Sequence, residues 1–190
     1  MVNLVQRENG AATRAGPSNT LYCKPVRGRS NPAAHPDADP AGARALAVAL
    51  LARRDFASAE IRGKLEAKGY APAAVAEVIA ELGREGLLND ERYAQNFVAY
   101  GAGRGQGPVR IAVELRRRGL EAKSIDAALA SGPDWSALAR KVCRAKFGPE
   151  PPVSWPQRAR QARFLQYRGF SSDHIRSATG ADPDTGLTEP

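Results

Sequence analysis

Cysteine and histidine are nearly missing from this 190-residue chain, with two of each. Cys23 and Cys143 lie far apart without a CxxC spacing, and His35 and His174 are the only imidazoles. That usage argues against a disulfide framework and a Cys/His zinc centre, and it fits a reducing compartment. Aromatic residues make up only 6%, so Ala, Leu and Val supply most of the apolar surface. Small, closely packed helices are expected rather than a large β-core. No run of about 18 apolar residues is present, so no membrane span is expected. The N-terminal MVNLVQRENGAATRAG has no apolar stretch of signal-peptide length, and the expectation is a cytoplasmic protein.

Enzyme signatures are missing too. No GxxxxGK[ST] loop exists to cradle a nucleotide. Asp55, Glu60, Asp90 and Glu91 fall at expected helix caps and first turns, where unpaired backbone N–H groups explain them. They form no carboxylate pair for metal-dependent chemistry. No catalytic, cofactor-binding or metal-ligating residue is assigned, and a non-enzymatic role is expected.

What the sequence does contain is a repeat. A skeleton of Leu, three residues, Gly and then a β-branched residue recurs as Leu65/Gly69/Val75, Leu115/Gly119/Ile125 and Leu165/Gly169/Ile175, with the glycines fifty residues apart. The stretch from Gly103 to Leu129 shows it most clearly: a Gly-rich entry, a Pro-started basic amphipathic helix, a Gly stop and a second short helix. Self-similarity at this period is the mark of tandem repeats stacked on their neighbours.

Residues 1–40 hold five prolines after Gly16 and no apolar periodicity, and read as a disordered tail that cannot bury enough surface to offset its ordering entropy. From Ala41, Leu46, Leu50 and Leu51 mark a first helix. Ser58 is the expected N-cap of a second, with Ile61 and Leu65 inward and Gly69 at C′. Pro72 opens a third, with Val75, Val78, Ile79 and Leu82 on one stripe. The second repeat spans residues 89–132. Asn89 caps a helix faced by Tyr93, Phe97 and Tyr100. Gly101, Gly103, Gly105 and Gly107 then predict a flexible joint before the helix opened by Pro108, and a short helix covers 124–130. The third repeat spans 133–180, with helices around Trp135–Phe147 and Pro156–Arg168 and a last one capped by Ser171 or Ser172. Residues 181–190, ADPDTGLTEP, read as an acidic frayed tail. The fold expected is all-α: three tandem three-helix repeats, at 41–88, 89–132 and 133–180, forming an elongated, curved helical array. A compact nine-helix bundle is the rival geometry.

Charge rises along the repeats. Residues 41–90 carry seven Lys/Arg and seven Asp/Glu, residues 91–140 eight against five, and residues 141–180 eight against two. The whole chain carries a net +8. The excess gathers on the second helices of repeats two and three: Arg104, Arg110, Arg116, Arg117 and Arg118 around the first, Arg158, Arg160, Arg163 and Arg168 on the other. Adjacent repeats would align these helices into one basic strip, suited to a phosphate backbone or an acidic protein surface. Each Gly stop also resembles a helix–turn–helix. Its repetition, and the few base-reading side chains in SIDAALA and SDHIRSATG, argue against sequence-specific DNA reading.

The stretches LLNDERYAQNFV (87–98), GRGQGPVRIAVELRRRGL (103–120) and RFLQYRGFSSDHI (163–175) resemble the RecX family of bacterial recombinase regulators, over about residues 41–180. The resemblance implies tandem three-helix repeats and a non-enzymatic modulator of RecA. Such a protein binds the RecA–DNA filament and lowers strand exchange, ATP hydrolysis and the coprotease activity behind the SOS response. The partners implied are the RecA filament and single- or double-stranded DNA within it, with no membrane and a monomeric chain. The matching positions are Asp90, Arg92, Gly107, Pro108, Arg110, Leu115, Gly119, Arg163, Phe164, Arg168, Gly169 and Phe170, of which only the arginines suit contacts. Two other readings use the same arginines: a general DNA-binding architectural protein acting without RecA, and a helical scaffold for another protein.

Overall fold

A computed structural model of the chain describes residues 39–180. The acidic tail at 181–190 and nearly all of the N-terminal tail lie outside the described residues. Pro40, assigned to that tail from sequence, is the first residue of a helix. Among the described residues there are nine helices and no strand: α1 (Pro40–Leu51), α2 (Ser58–Glu66), α3 (Pro72–Arg84), α4 (Asp90–Gly103), α5 (Pro108–Arg117), α6 (Ala122–Ala130), α7 (Trp135–Phe147), α8 (Trp155–Arg168) and α9 (Ser172–Thr179). The all-α reading in tandem three-helix units is thereby met.

The Leu-x-x-x-Gly skeleton is a helix stop built three times. Gly69, Gly119 and Gly169 take φ of 90°, 82° and 85°. In each copy the glycine N–H bonds the carbonyl three residues back: Gly69 to Glu66 at 2.9 Å, Gly119 to Arg116 at 2.9 Å, and Gly169 to Gln166 at 2.9 Å. The next N–H reaches the leucine carbonyl: Tyr70 to Leu65 at 3.3 Å, Leu120 to Leu115 at 3.3 Å, and Phe170 to Leu165 at 3.1 Å. This 6→1 and 5→2 pair is the Schellman motif, which satisfies the last carbonyls and needs a residue that tolerates positive φ. Leu65, Leu115 and Leu165 are all fully buried, so the skeleton stops a helix and anchors a core at once.

The main helix packings fall within the triplets α1–α3, α4–α6 and α7–α9. Each triplet has its own apolar cluster. Ile61, Leu65, Val75, Val78 and Leu82 centre the first, Ile111, Leu115 and Ile125 the second, and Leu165, Phe170 and Ile175 the third. Burying one such side chain is worth about 1.5–3 kcal/mol, so a unit with only a handful is modestly stable alone. Position 61 shows the third unit's departure. Ile61 and Ile111 are followed fifty residues on by Gln161, which is buried and accepts a bond from Cys143 Sγ at 3.4 Å.

Three local expectations are corrected. Ser58 is the first residue of α2 rather than its cap; the cap position is Ala57, whose N–H bonds Glu60 Oε2 at 3.3 Å. Tyr100 is 63% exposed, because α4 turns its apolar side through Tyr93, Ala94 and Val98 instead. The glycines at 101–107 are a packing device. α4 runs through Gly101 and Gly103, a Cβ at Gly101 would lie 2.9 Å from Ile111 Cδ1, and one at Gly107 would overlap the Gly169 carbonyl. Side-chain packing at Gly101, a positive φ of 70° at Gly105 and close backbone approach at Gly107 call for glycine there, while Gly103 faces open space.

Candidate functional site

The units meet at two seams built from equivalent positions but held differently. At the first, α5 of the second unit ends against the start of α2. Gly119 faces Ala59 so closely that a Cβ would collide with it. Ala57, fully buried, joins the second unit's cluster. Ser58 N–H donates to Asp90 Oδ1 at 2.8 Å. Arg118 then crosses the seam: its Nη1 lies 3.2 Å from Glu60 Oε1 and donates to the Tyr93 hydroxyl at 2.9 Å, with its guanidinium 4.9 Å from the Phe97 ring centroid. Tyr93 in turn donates to Glu60 Oε2 at 3.2 Å. Burial first, then the Glu60 carboxylate, pushes the Tyr93 hydroxyl above its ordinary pKa, so it stays protonated as a donor. Arg118 Nε is buried and makes no hydrogen bond, so the residue is held by one edge and one face of its guanidinium.

The second seam is held first by backbone-to-backbone hydrogen bonds. Gly107 N–H donates to Arg168 O at 2.8 Å and Val109 N–H to Gly169 O at 3.0 Å. The unpaired amides that open α5 are thus met by the carbonyls that close α8, so the opposed ends of the two helix dipoles face each other. Counting in fifties, the positions of Glu60 and Arg118 are here Arg110 and Arg168. Two cations replace an ion pair. They use carbonyls: Arg168 Nη1 donates to Arg104 O at 3.1 Å and Arg110 Nη1 to Tyr167 O at 3.5 Å. The Arg168 guanidinium also sits 5.3 Å from the Phe164 ring, and Arg104 5.5 Å from the Tyr100 ring.

The nine arginines singled out from sequence therefore fall into distinct places. Arg104, Arg110 and Arg168, 64 residues apart at their extremes, are brought together at the second seam with no carboxylate partner among the described residues. Arg116 and Arg117 stand exposed in the last turn of α5, Arg117 bonded only to Glu114 at 3.3 Å. Arg163 is exposed on α8. Arg158 donates to Pro152 O at 3.4 Å and Arg160 lies 5.7 Å from the Phe147 ring, both contacts within the third unit. Arg118 is the exception, since its head is taken by Glu60 and Tyr93.

Sequence reasoning missed Lys141 and Lys146 on α7 and the exposed Tyr167 on α8. Together with Arg104 and Arg168, the two lysines rim a groove of about 390 Å³ beneath the second seam. One signal was available: Glu60, Arg110 and Arg160 stand in register, so the change of sign between repeats is legible once the period is known.

No group of His, Cys, Asp or Glu among the described residues is arranged to hold a metal ion. Cys143 is buried, and burial pushes its thiol above the ordinary range. His174 is half-buried: Nδ1 lies 2.8 Å from Ser171 Oγ at the start of α9, and burial lowers its pKa from the ordinary histidine value despite Asp173 and Asp134. No described helix is long and apolar enough to cross a membrane.

Tandem three-helix units joined at short seams, with arginines lacking a carboxylate partner at the second, define a helical-repeat protein. The family models for the first, second and third three-helix domains of RecX match residues 43–82, 89–129 and 134–179. The chain belongs to the RecX family. A protein named Regulatory protein RecX from Halorhodospira halophila is 45% identical over 136 residues, covering 71% of this chain and 84% of the relative. One of the same name from Pseudomonas fluorescens strain SBW25 is 42% identical over 143 residues, covering 74% and 92%. The crystal structure of RecX from Lactobacillus salivarius matches the fold with a TM-score of 0.66 at 20% identity, over 73% of this chain and 93% of that one.

Proposed function

We propose that this chain is a non-enzymatic cytoplasmic regulator that binds the RecA–DNA filament. There it inhibits the recombinase, ATPase and coprotease activities of RecA and so modulates DNA repair and the SOS response. The observation that carries this reading is the change of chemistry between equivalent seams. At the first, Arg118 is paired with the Glu60 carboxylate, whereas the second presents Arg104, Arg110 and Arg168 without a carboxylate. A seam whose arginine is paired with a carboxylate serves cohesion. An arginine group with no internal counter-charge leaves donors for an anionic partner, and Arg116 and Arg117 on α5 and Arg163 on α8 add exposed cations. Repeated units let many weak contacts act together on a repeating filament.

The test is RecA's DNA-dependent ATPase on single-stranded DNA. Substoichiometric chain should slow it, and no effect at equimolar chain would sink the reading. A general DNA-binding role without RecA draws on the same arginines and predicts a steep salt dependence on bare DNA. Filament binding that survives salt abolishing bare-DNA binding rejects that alternative.

A further inference from the structure

The groove beneath the second seam differs from the arginine surface in having an apolar floor. Ala102 from α4, Leu138, Val142 and Ala145 from α7, and Phe164 from α8 supply it. Its rim is Arg104, Lys141, Lys146 and Arg168, and no carboxylate among the described residues lines it. One wall is the backbone at Gly105, where a Cβ would come within 2.9 Å of Val142 Cγ2. The volume, about 390 Å³, lies at the small end of ligand pockets. The two neighbouring grooves on the third unit are lined by Glu150 and Gln161 as well as arginine and lack this division of floor from rim.

A nucleobase fits poorly. The floor offers no amide or hydroxyl side chain to meet base edges, and the Phe164 ring is already occupied, with Arg168 5.3 Å away and Phe147 edge-on at 5.3 Å. Aliphatic side chains flanked by carboxylates match both parts, burying methyl groups against Leu138 and Val142 while Lys141, Lys146 and Arg104 meet the acids. We propose that this groove is a docking site for a short acidic protein segment carrying a leucine-like anchor. The inference rests on and deepens the reading above by separating the protein contact, in the groove, from the exposed Arg116, Arg117 and Arg163, which are left for phosphate.

The test uses the isotope-labelled full chain, followed by NMR and titrated with three probes: the peptides Asp-Glu-Leu-Leu-Glu-Asp and Asp-Glu-Gly-Gly-Glu-Asp, and an oligo(dT). The leucine peptide should move the signals of Ala102, Leu138, Val142 and Phe164. The glycine peptide should bind about tenfold more weakly, as expected when the anchor's apolar burial is removed. Ala145→Phe, at an exposed position on the groove floor, should abolish the leucine-peptide shifts while leaving the oligo(dT) shifts at Arg116, Arg117 and Arg163 in place. Equal affinity for the two peptides, or oligo(dT) moving the groove signals first, overturns the proposal. Because no RecA is present, that outcome stands apart from failure of the filament reading, which the ATPase assay decides. With wild type inhibiting RecA, an Ala145→Phe chain that inhibits equally well also rejects the groove as the protein contact.

Discussion

Arg118 Nη1 lies 3.2 Å from the Glu60 carboxylate across the first seam, and fifty residues later the same pair of positions is Arg168 and Arg110. One repeat unit thus uses an arginine to hold itself to its neighbour, and the next turns the equivalent arginine to a neighbouring backbone carbonyl. The two roles separate cleanly in experiment.

Arg118→Ala should lower stability by about 1–3 kcal/mol, because it leaves the half-buried Glu60 and the buried Tyr93 short of a partner. Arg54, 3.5 Å from the same carboxylate, keeps the loss toward the low end of that range. Thermal unfolding measures it. An unchanged melting temperature would show that the seam does not depend on this pair. Arg116→Gln with Arg117→Gln should leave stability within about 0.5 kcal/mol of wild type, as neutral exposed substitutions do.

The same double variant should weaken binding to single-stranded DNA and flatten its salt dependence, by roughly one unit of slope for each phosphate no longer neutralised. Changing Arg118 along with them would confuse the result, because a weakened seam and a weakened DNA surface would appear together. Titration at several salt concentrations decides it, and an unaltered slope removes Arg116 and Arg117 from the phosphate-facing set.

Glycine substitutions should rank by what each Cβ meets. Gly69→Ala has open space, so it should cost only the positive-φ strain, about 1–2 kcal/mol. Gly119→Ala adds a collision with Ala59, and Gly169→Ala adds one with Arg110, whose backbone N would lie 2.6 Å away. Both should cost more than Gly69→Ala. Gly107→Ala is the sharpest case. Its φ of −86° suits any residue, so all of its cost reports the second seam. Denaturant unfolding of the four variants gives the order, and a Gly107→Ala chain as stable as wild type would refute the close backbone approach.

Stability should fall as pH drops below about 6.5, the unfolded value for histidine, because burial holds His174 below it. In that window the unfolded chain binds a proton that the folded chain does not, so the loss grows until the folded pKa is passed. His174→Gln should flatten the profile between about pH 7 and 5. If wild type and variant show parallel profiles over that range, His174 does not couple protonation to folding.

Much of this fold was legible in the sequence for a local reason. Leu115, Gly119 and Ile125 report helix face, helix stop and next helix within a dozen residues, and the fifty-residue period multiplies that signal threefold. Asn89 was readable as a cap, and its side chain does accept from Arg92 N–H at 2.8 Å. The glycine run at 101–107 was misread because composition gives glycine's freedom but not its neighbours. Only packing shows Ile111 and the Gly169 carbonyl filling the space a Cβ would need.

The amino-acid sequence by itself determined the helices, their stops, the three apolar cores and the rising positive charge, because each depends on residues within a few turns of one another. The tertiary structure alone decided which arginine serves which end. Arg118 and Arg168 occupy the same place in their repeats, with the same local neighbours Leu and Gly. What differs is the residue across the seam, Glu60 for one and Arg110 for the other, and that juxtaposition exists only once the units are packed.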